Sequence, residues 1–171
     1  MSAATTRIGM VAMACATVLS CDGGDRGGED RRAGPEEPAV SAILAVPGTL
    51  NRMPSLAVSG NRVVAVWTST QNDVMDVYAA VSGDAGATFS APRRVNHLPG
   101  DARSNAEQPP RVAMSESAIT VIWPSRPEGA SAIRMSRSTD GGRTFSPAGT
   151  IHKASFTGAR GWQSVTAGRD G

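Results

Sequence analysis

The chain is short of cysteine and of aromatic residues. It has two cysteines among 171 residues, Cys15 and Cys21, and both lie near the N-terminus. A disulfide framework is therefore excluded for the rest of the chain. Aromatic residues make up 4% of the sequence, and no segment after residue 21 shows helical periodicity. The fold must then consist of strands that burial and hydrogen bonds stabilise.

Net charge is low as well. The sequence has 17 Lys and Arg against 15 Asp and Glu, which leaves +2. A charge this small and this well mixed excludes nucleic acid as a partner and gives no basis for binding an anionic lipid surface. The sequence has only two histidines, and we expect no metal and no cofactor.

The N-terminal residues predict export. Residues 8–20 form an apolar run that is too short to span a bilayer. The run ends in Val18-Leu19-Ser20-Cys21, which resembles the bacterial lipobox, whose cysteine receives the lipid and becomes the new N-terminus. We therefore expect residues 1–20 to be a signal peptide and Cys21 to be lipidated. The protein would then be an exported lipoprotein that faces the periplasm or the cell exterior, and it would contact the membrane through its lipid anchor only.

Two alternatives stay open for this region. One is a plain secretory signal, and the other is an apolar helix that the mature chain retains. Residues 21–38 are rich in glycine and in charges of both signs and have no strong apolar residue after Cys21. Such a segment cannot bury enough surface to order itself, so the sequence predicts a flexible tether.

An eight-residue pattern occurs twice, 56 positions apart. Residues 82–89 read SGDAGATF and residues 138–145 read STDGGRTF, so both fit S-x-D-x-G-x-T-F. In this pattern the Asp accepts hydrogen bonds from nearby N–H groups, the Gly adopts a positive φ, the Thr bonds across the turn and the Phe buries its ring. These structural positions are Ser82, Asp84, Gly86, Thr88, Phe89, Ser138, Asp140, Gly142, Thr144 and Phe145.

The same shift relates residues well outside the pattern. Pro54 and Pro110, and Trp67 and Trp123, are also 56 positions apart. Each unit contains four strand-like segments, which is the composition of a propeller blade. We therefore predict an N-terminal strand at 39–50, blade 1 at 51–98, blade 2 at 99–153 and the start of a third blade at 154–171. The fold class is all-β, a partial β-propeller with two complete four-stranded blades.

The repeated pattern is the Asp box, or BNR repeat. On this motif the chain from about residue 51 onward resembles the sialidase (neuraminidase) superfamily, whose members form six-bladed propellers. The Arg52-Met53-Pro54 triplet is similar to the Arg-aliphatic-Pro signature of the first sialidase blade. The resemblance implies that Arg52 clamps a substrate carboxylate and that Asp76, six residues before Ser82, is the general acid/base.

Two functions from different classes follow from this resemblance. The first is a retaining exo-α-sialidase that acts on sialoglycans, of which the chain supplies the N-terminal part and is expected to be inactive alone. The second is a non-catalytic cell-surface propeller that binds glycans or proteins. An oligomer is a further expectation, because three two-blade chains can complete a six-bladed ring.

Overall fold

The computed structural model describes residues 43–153 and 158–168. The predicted signal peptide, the tether and Cys21 lie outside the described residues. Within these ranges no helix is long and apolar enough to cross a membrane. The residues that the structure describes form eight strands and one short 3-10 turn at Pro127–Gly129. The strands are β1 Leu50–Ser59, β2 Arg62–Gln71, β3 Val74–Ser82, β4 Arg93–Arg94, β5 Arg111–Met114, β6 Ile119–Ser125, β7 Ala132–Ser138 and β8 Gly149–Thr150.

The strands form two four-stranded antiparallel sheets. Sheet 1 has the order β1-β2-β3-β4, and sheet 2 has the order β5-β6-β7-β8. The prediction of an all-β fold with two four-stranded units is thus confirmed. The inner strand β2 is rich in β-branched residues, which suit a strand that is covered on both sides.

The main core lies between the two sheets. Side chains alternate along a strand, so Val64, Val66 and Val77 share one face of sheet 1. This face packs against Val121 and Trp123 of sheet 2, and all five side chains are buried. Burial of a large apolar side chain stabilises a fold by roughly 1.5–3 kcal/mol, so this contact holds the two sheets together.

The two sheets stack in the same orientation. Trp67 is the repeat equivalent of Trp123, but it lies on the opposite face of sheet 1, in a second cluster with Ala65 and Ala80. One face of sheet 1 therefore packs against the non-equivalent face of sheet 2. Repeats that stack in this front-to-back manner generate a radial array, as expected for part of a β-propeller.

The segment before β1 differs from the prediction of a strand at 39–50. Among the described residues, positions 43–49 contain no strand. Leu44 and Val46 instead pack against the second cluster, on Trp67 and its neighbours. Asn51 explains this path, because its side chain accepts hydrogen bonds from Val46 N and Trp67 Nε1, both at 2.9 Å. Backbone groups that bind the Asn51 side chain in this turn, such as the N–H of Val46, cannot also pair with a neighbouring strand.

The predicted start of a third blade contains no strand in the part that the structure describes, residues 158–168. Gln163 Nε2 donates to the carbonyl of Pro109 at 2.9 Å, which ties the segment to the residues before β5. Trp162 is 77% exposed, so it belongs to neither core cluster.

Candidate functional site

The first Asp box forms a closed set of hydrogen bonds. Asp84 Oδ1 accepts from Ser82 Oγ at 2.6 Å and from Thr88 N at 2.9 Å. Asp84 Oδ2 accepts from Thr88 Oγ1 at 2.6 Å, and Ser82 Oγ accepts from Gly86 N at 2.8 Å. The bonds from Ser82 and Thr88 lower the pKa of Asp84 from its ordinary value to about 2.

The second Asp box has the same bonds. Asp140 accepts from Thr144 Oγ1 at 2.5 Å, from Thr144 N at 3.0 Å and from Ser138 Oγ at 2.7 Å. The hydrogen bonds from Thr144, followed by that from Ser138, hold the pKa of Asp140 well below its usual range. Both carboxylates are thus fully engaged within their turns, and neither is a candidate for chemistry.

The aromatic ring of each box is less buried than the pattern suggests. Phe89 packs against the second cluster and Phe145 against the main core, but both rings are only half-buried. The glycines behave differently from each other. Gly86 has φ +93° and only the Phe89 ring near the place of a Cβ, in ordinary van der Waals contact, whereas Gly142 has φ +88° and lies against Val81 of sheet 1.

Asp76 lies at the other end of β3, six residues before Ser82. Strand geometry separates these two residues by about 20 Å. Asp76 Oδ1 accepts from Asn96 Nδ2 and from Gly100 N, both at 2.7 Å. Arg94 Nη1 is 3.8 Å from Oδ2, at the distance of an ion pair. Asp76 therefore anchors the connection between the two sheets to the end of β3.

A polar cleft opens beside Asp76. Its volume is about 220 Å³. The hydroxyl oxygens of Thr49 and Ser69 are 2.5 Å apart in its wall, and the ring of Tyr78 completes one side. Oδ2 of Asp76 accepts no hydrogen bond from the described residues, so this oxygen is available to a ligand. A carboxylate among hydroxyl groups in a small cleft suits recognition of a hydroxylated molecule.

The structure does not bring Arg52 to this cleft. Arg52 pairs with Thr68, which pairs with Val77, whereas Asp76 pairs with Ser69 in the neighbouring row. Side chains of neighbouring rows point to opposite faces of a sheet, so Arg52 and Asp76 lie on opposite faces. Arg52 is exposed and makes no side-chain hydrogen bond or ion pair within residues 43–153 and 158–168. Its catalytic role stays a prediction.

The structure adds three residues that the sequence analysis did not select. They lie at the end of the sheets where Asp76 and its cleft are found. Asn51 fixes the turn before β1, and Asn96 is buried and bridges Asp76 to Val77 N at 2.7 Å. Asp101 accepts from Ser125 Oγ at 2.6 Å. No motif marks these residues, and their partners Trp67, Val77, Asp76 and Ser125 lie 16 to 24 positions away.

The described residues contain no group of three or more His, Cys, Asp and Glu side chains that could hold a metal ion. Hydrogen-bond donors and acceptors at this end include side-chain hydroxyl, amide, carboxylate and guanidinium groups. These groups can bind a polar organic ligand directly.

No protein-family model and no curated protein sequence matches the chain. Among solved structures, the chain is similar to a GH43_1 enzyme from Xanthomonas citri complexed with xylose, with a TM-score of 0.46 and 16% identity. It is also similar to a putative glycoside hydrolase from Bacteroides ovatus, with a TM-score of 0.37 and 19% identity. The matches cover 61% and 60% of this chain, and they span 33% and 30% of those chains. Similarity at these TM-scores and sequence identities does not establish the family or the activity of this chain.

Proposed function

We propose that this chain supplies two blades of an exported, lipid-anchored Asp-box β-propeller that acts on carbohydrate, as a sialidase-type retaining glycoside hydrolase. The observation that supports the proposal most is the repeated Asp box. Both boxes have the same hydrogen bonds to the Asp carboxylate, at the same corner of two sheets that stack front to back. The Asp box is the motif on which the resemblance to sialidases rests.

Asp76 is the acid/base of this proposal. It lines the polar cleft, and its Oδ2 accepts no hydrogen bond from the described residues. In the proposed reaction the Asp76 carboxyl protonates the leaving glycosidic oxygen while a nucleophile from another blade forms the glycosyl-enzyme bond. The resulting Asp76 carboxylate then takes a proton from the water that breaks this bond and releases the nucleophile. The engaged Oδ1 holds the side chain in one orientation through Asn96 and Gly100. Arg52 enters as the proposed carboxylate clamp because Arg52-Met53-Pro54 resembles the sialidase signature. Its guanidinium is exposed and unpaired in the described residues and lies on the face of sheet 1 opposite Asp76.

Because this chain is expected to be inactive alone, turnover of a fluorogenic sialoside by the complete propeller that contains it tests the proposal. Asp76→Asn should lower turnover by about 100-fold or more, because general acid–base catalysis contributes factors of this size. The matched control is Asp73→Asn, which changes an exposed carboxylate in the β2–β3 turn, at φ +63°, a conformation that Asn tolerates. Equal turnover in both variants would remove Asp76 from the reaction.

A second candidate is a propeller that binds glycans or proteins without catalysis. The observation that favours it is the register, which places Arg52 and Asp76 on opposite faces of sheet 1. Binding of sialyllactose without hydrolysis, in both the parent protein and Asp76→Asn, would support this candidate over the enzyme. A complete propeller that neither cleaves nor binds sialosides would refute the sialidase proposal.

A further inference from the structure

The two Asp boxes differ in the residue that follows the Asp. Asp140 is followed by Gly141, whereas Asp84 is followed by Ala85, and no other Asp in the described part of the chain precedes a glycine. Gly141 is exposed, and a Cβ added there would meet nothing within 4 Å. The backbone nitrogen of Gly141 therefore lacks the shielding that the side chain of Ala85 gives to the equivalent nitrogen.

The backbone N–H after each Asp is also used differently. Ala85 N donates to the carbonyl of Asn61 in the β1–β2 turn at 2.7 Å, and Asn61 Nδ2 donates to the carbonyl of Gly83 at 2.7 Å. These two bonds fix the first box to sheet 1. Ser117 stands at the equivalent position in the second repeat, but its carbonyl accepts no such bond. The N–H of Gly141 has no hydrogen-bond partner among the described residues.

An Asp-Gly sequence can rearrange without an enzyme or a cofactor. The Gly141 nitrogen attacks Cγ of the protonated Asp140 carboxyl, and the N–H hydrogen leaves with the carboxyl hydroxyl as one water molecule. The product is a five-membered succinimide, which one water molecule then opens. Cleavage of the C–N bond at Cγ restores Asp, whereas cleavage at the main-chain carbonyl carbon leaves isoaspartate. One water leaves and one returns, so the mass is unchanged and no oxidant or reductant is needed.

The closed box prevents the first step of this reaction. One carboxylate oxygen of Asp140 accepts from Ser138 Oγ and Thr144 N, and the other accepts from Thr144 Oγ1. Neither oxygen can leave as water while these bonds hold. The bonds from Thr144 and Ser138 also hold the pKa of Asp140 well below its usual range, so the protonated form that reacts is scarce. The reaction therefore requires the box to open.

We propose that Asp140 is a site of isoaspartate formation, and that it reacts only when the second Asp box opens. Isoaspartate adds one carbon to the main chain and displaces the carboxylate, so Ser138 and Thr144 cannot re-form the box. Gly142, which lies against Val81, then loses its place in the contact between the sheets. A reversible opening thus becomes a permanent change that lowers the kinetic stability of the chain. The inference does not depend on the proposed glycosidase activity.

Ageing of the purified full chain at neutral pH tests the proposal. Isoaspartate is labelled with isoaspartyl methyltransferase and located by fragmentation mass spectrometry in the tryptic peptides 63–93 and 138–143. A synthetic peptide of residues 136–146 gives the rate without a box. We expect residue 140 to react about 100-fold more slowly in the folded chain than in this peptide, because only the open fraction reacts. Urea that unfolds the chain should remove the difference.

Two matched variants localise the opening. Thr144→Val should raise the rate at Asp140 in the folded chain by about ten-fold, because the box loses one hydrogen bond to a charged group. Thr88→Val makes the same change in the first box and should leave that rate unchanged. Ala85→Gly creates an Asp-Gly sequence at Asp84 that keeps its bond to Asn61. Isoaspartate at Asp84 in this variant should match that at Asp140 in urea and form more slowly in the folded chain.

Each opposite result overturns the proposal. Equal rates in the folded chain and in the peptide would show that the box does not control the reaction. Equal effects of Thr144→Val and Thr88→Val would show that the whole fold opens rather than the second box. Equal rates at both sites in folded Ala85→Gly would remove the role of the free N–H. Absence of isoaspartate at Asp140 in urea would remove the site itself. Sialoside turnover plays no part in these outcomes.

Discussion

The two equivalent glycines of the Asp boxes offer a direct test of how the sheets pack. Gly86 and Gly142 have nearly the same backbone angle, φ +93° and +88°, which an L-residue rarely adopts. A Cβ at residue 86 would meet only the Phe89 ring, at 3.9 Å. A Cβ at residue 142 would lie 2.6 Å from Cγ2 of Val81 and 3.4 Å from Cδ1 of Ile119. Only the second substitution therefore disturbs the contact between sheets.

The expected costs separate backbone strain from packing. Gly86→Ala should lower the free energy of unfolding by about 1–2 kcal/mol, because a left-handed conformation costs an L-residue that much. Gly142→Ala has the same strain and adds an overpacking cost of about 1–3 kcal/mol. Gly141→Ala is a further control, since residue 141 has φ +76° with nothing within 4 Å of a Cβ.

Urea unfolding followed by tryptophan fluorescence measures these differences. Trp123 is fully buried between the sheets, so its emission reports their separation. We expect the order of stability to be parent, then Gly86→Ala together with Gly141→Ala, then Gly142→Ala. Equal losses for Gly86→Ala and Gly142→Ala would mean that Val81 does not contact the second box, and the front-to-back stacking would then be wrong.

Three further predictions concern single sites. Asp76→Ala should lower the free energy of unfolding by about 1–3 kcal/mol, because the donors that Asp76 binds lose their acceptor. Asp76→Asn keeps an oxygen and should therefore lower the free energy of unfolding by less. Urea midpoints of both variants check this. The free energy of unfolding should fall as the pH drops below about 4, the ordinary Asp pKa. The pKa values of Asp84 and Asp140 are depressed in the folded state, so their contribution to stability is complete above that pH and is lost as the pH falls through the folded pKa, about 2 for Asp84. Urea midpoints measured down this pH range check the prediction, and Asp84→Asn should make the fall in stability with pH less steep. Ala85→Gly should raise the melting temperature, because Ala85 has φ +58° and its counterpart in the second box is already glycine; a lower melting temperature would contradict the strain argument.

The repeat in the sequence was sufficient to predict the sheets. A shift of 56 positions relates Trp67 to Trp123 and one Asp box to the other, and such a repeat can only arise from two copies of one structural unit. Local chemistry at the boxes is also readable from the sequence, because the hydrogen bonds of the Ser, Asp and Thr side chains of each box join residues within four positions.

The candidate site was harder to predict, because it depends on register and on distant partners. Which face Arg52 occupies is decided by its pairing with Thr68 and by a bulge between Arg52 and Ser55, where Met53 has φ +57°. No pattern in the sequence marks this bulge. The bonds of Asp76 to Asn96 and Gly100 span 20 and 24 positions, and only the folded sheet brings these groups together. The bond from Ser125 to Asp101 spans 24 positions and is likewise formed only in the folded sheet.

The Asp boxes lie at one end of the strands and the Asp76 cleft lies at the other, and this separation has a practical consequence. Gly142 contacts Val81 at a box, whereas Ser69 lines the cleft. Substitutions that raise heat tolerance at the boxes can therefore be combined with substitutions around the cleft, since mutations that are far apart and share no partners are usually additive. Resistance to unfolding and the polar chemistry of the cleft can thus be engineered as independent traits in this scaffold.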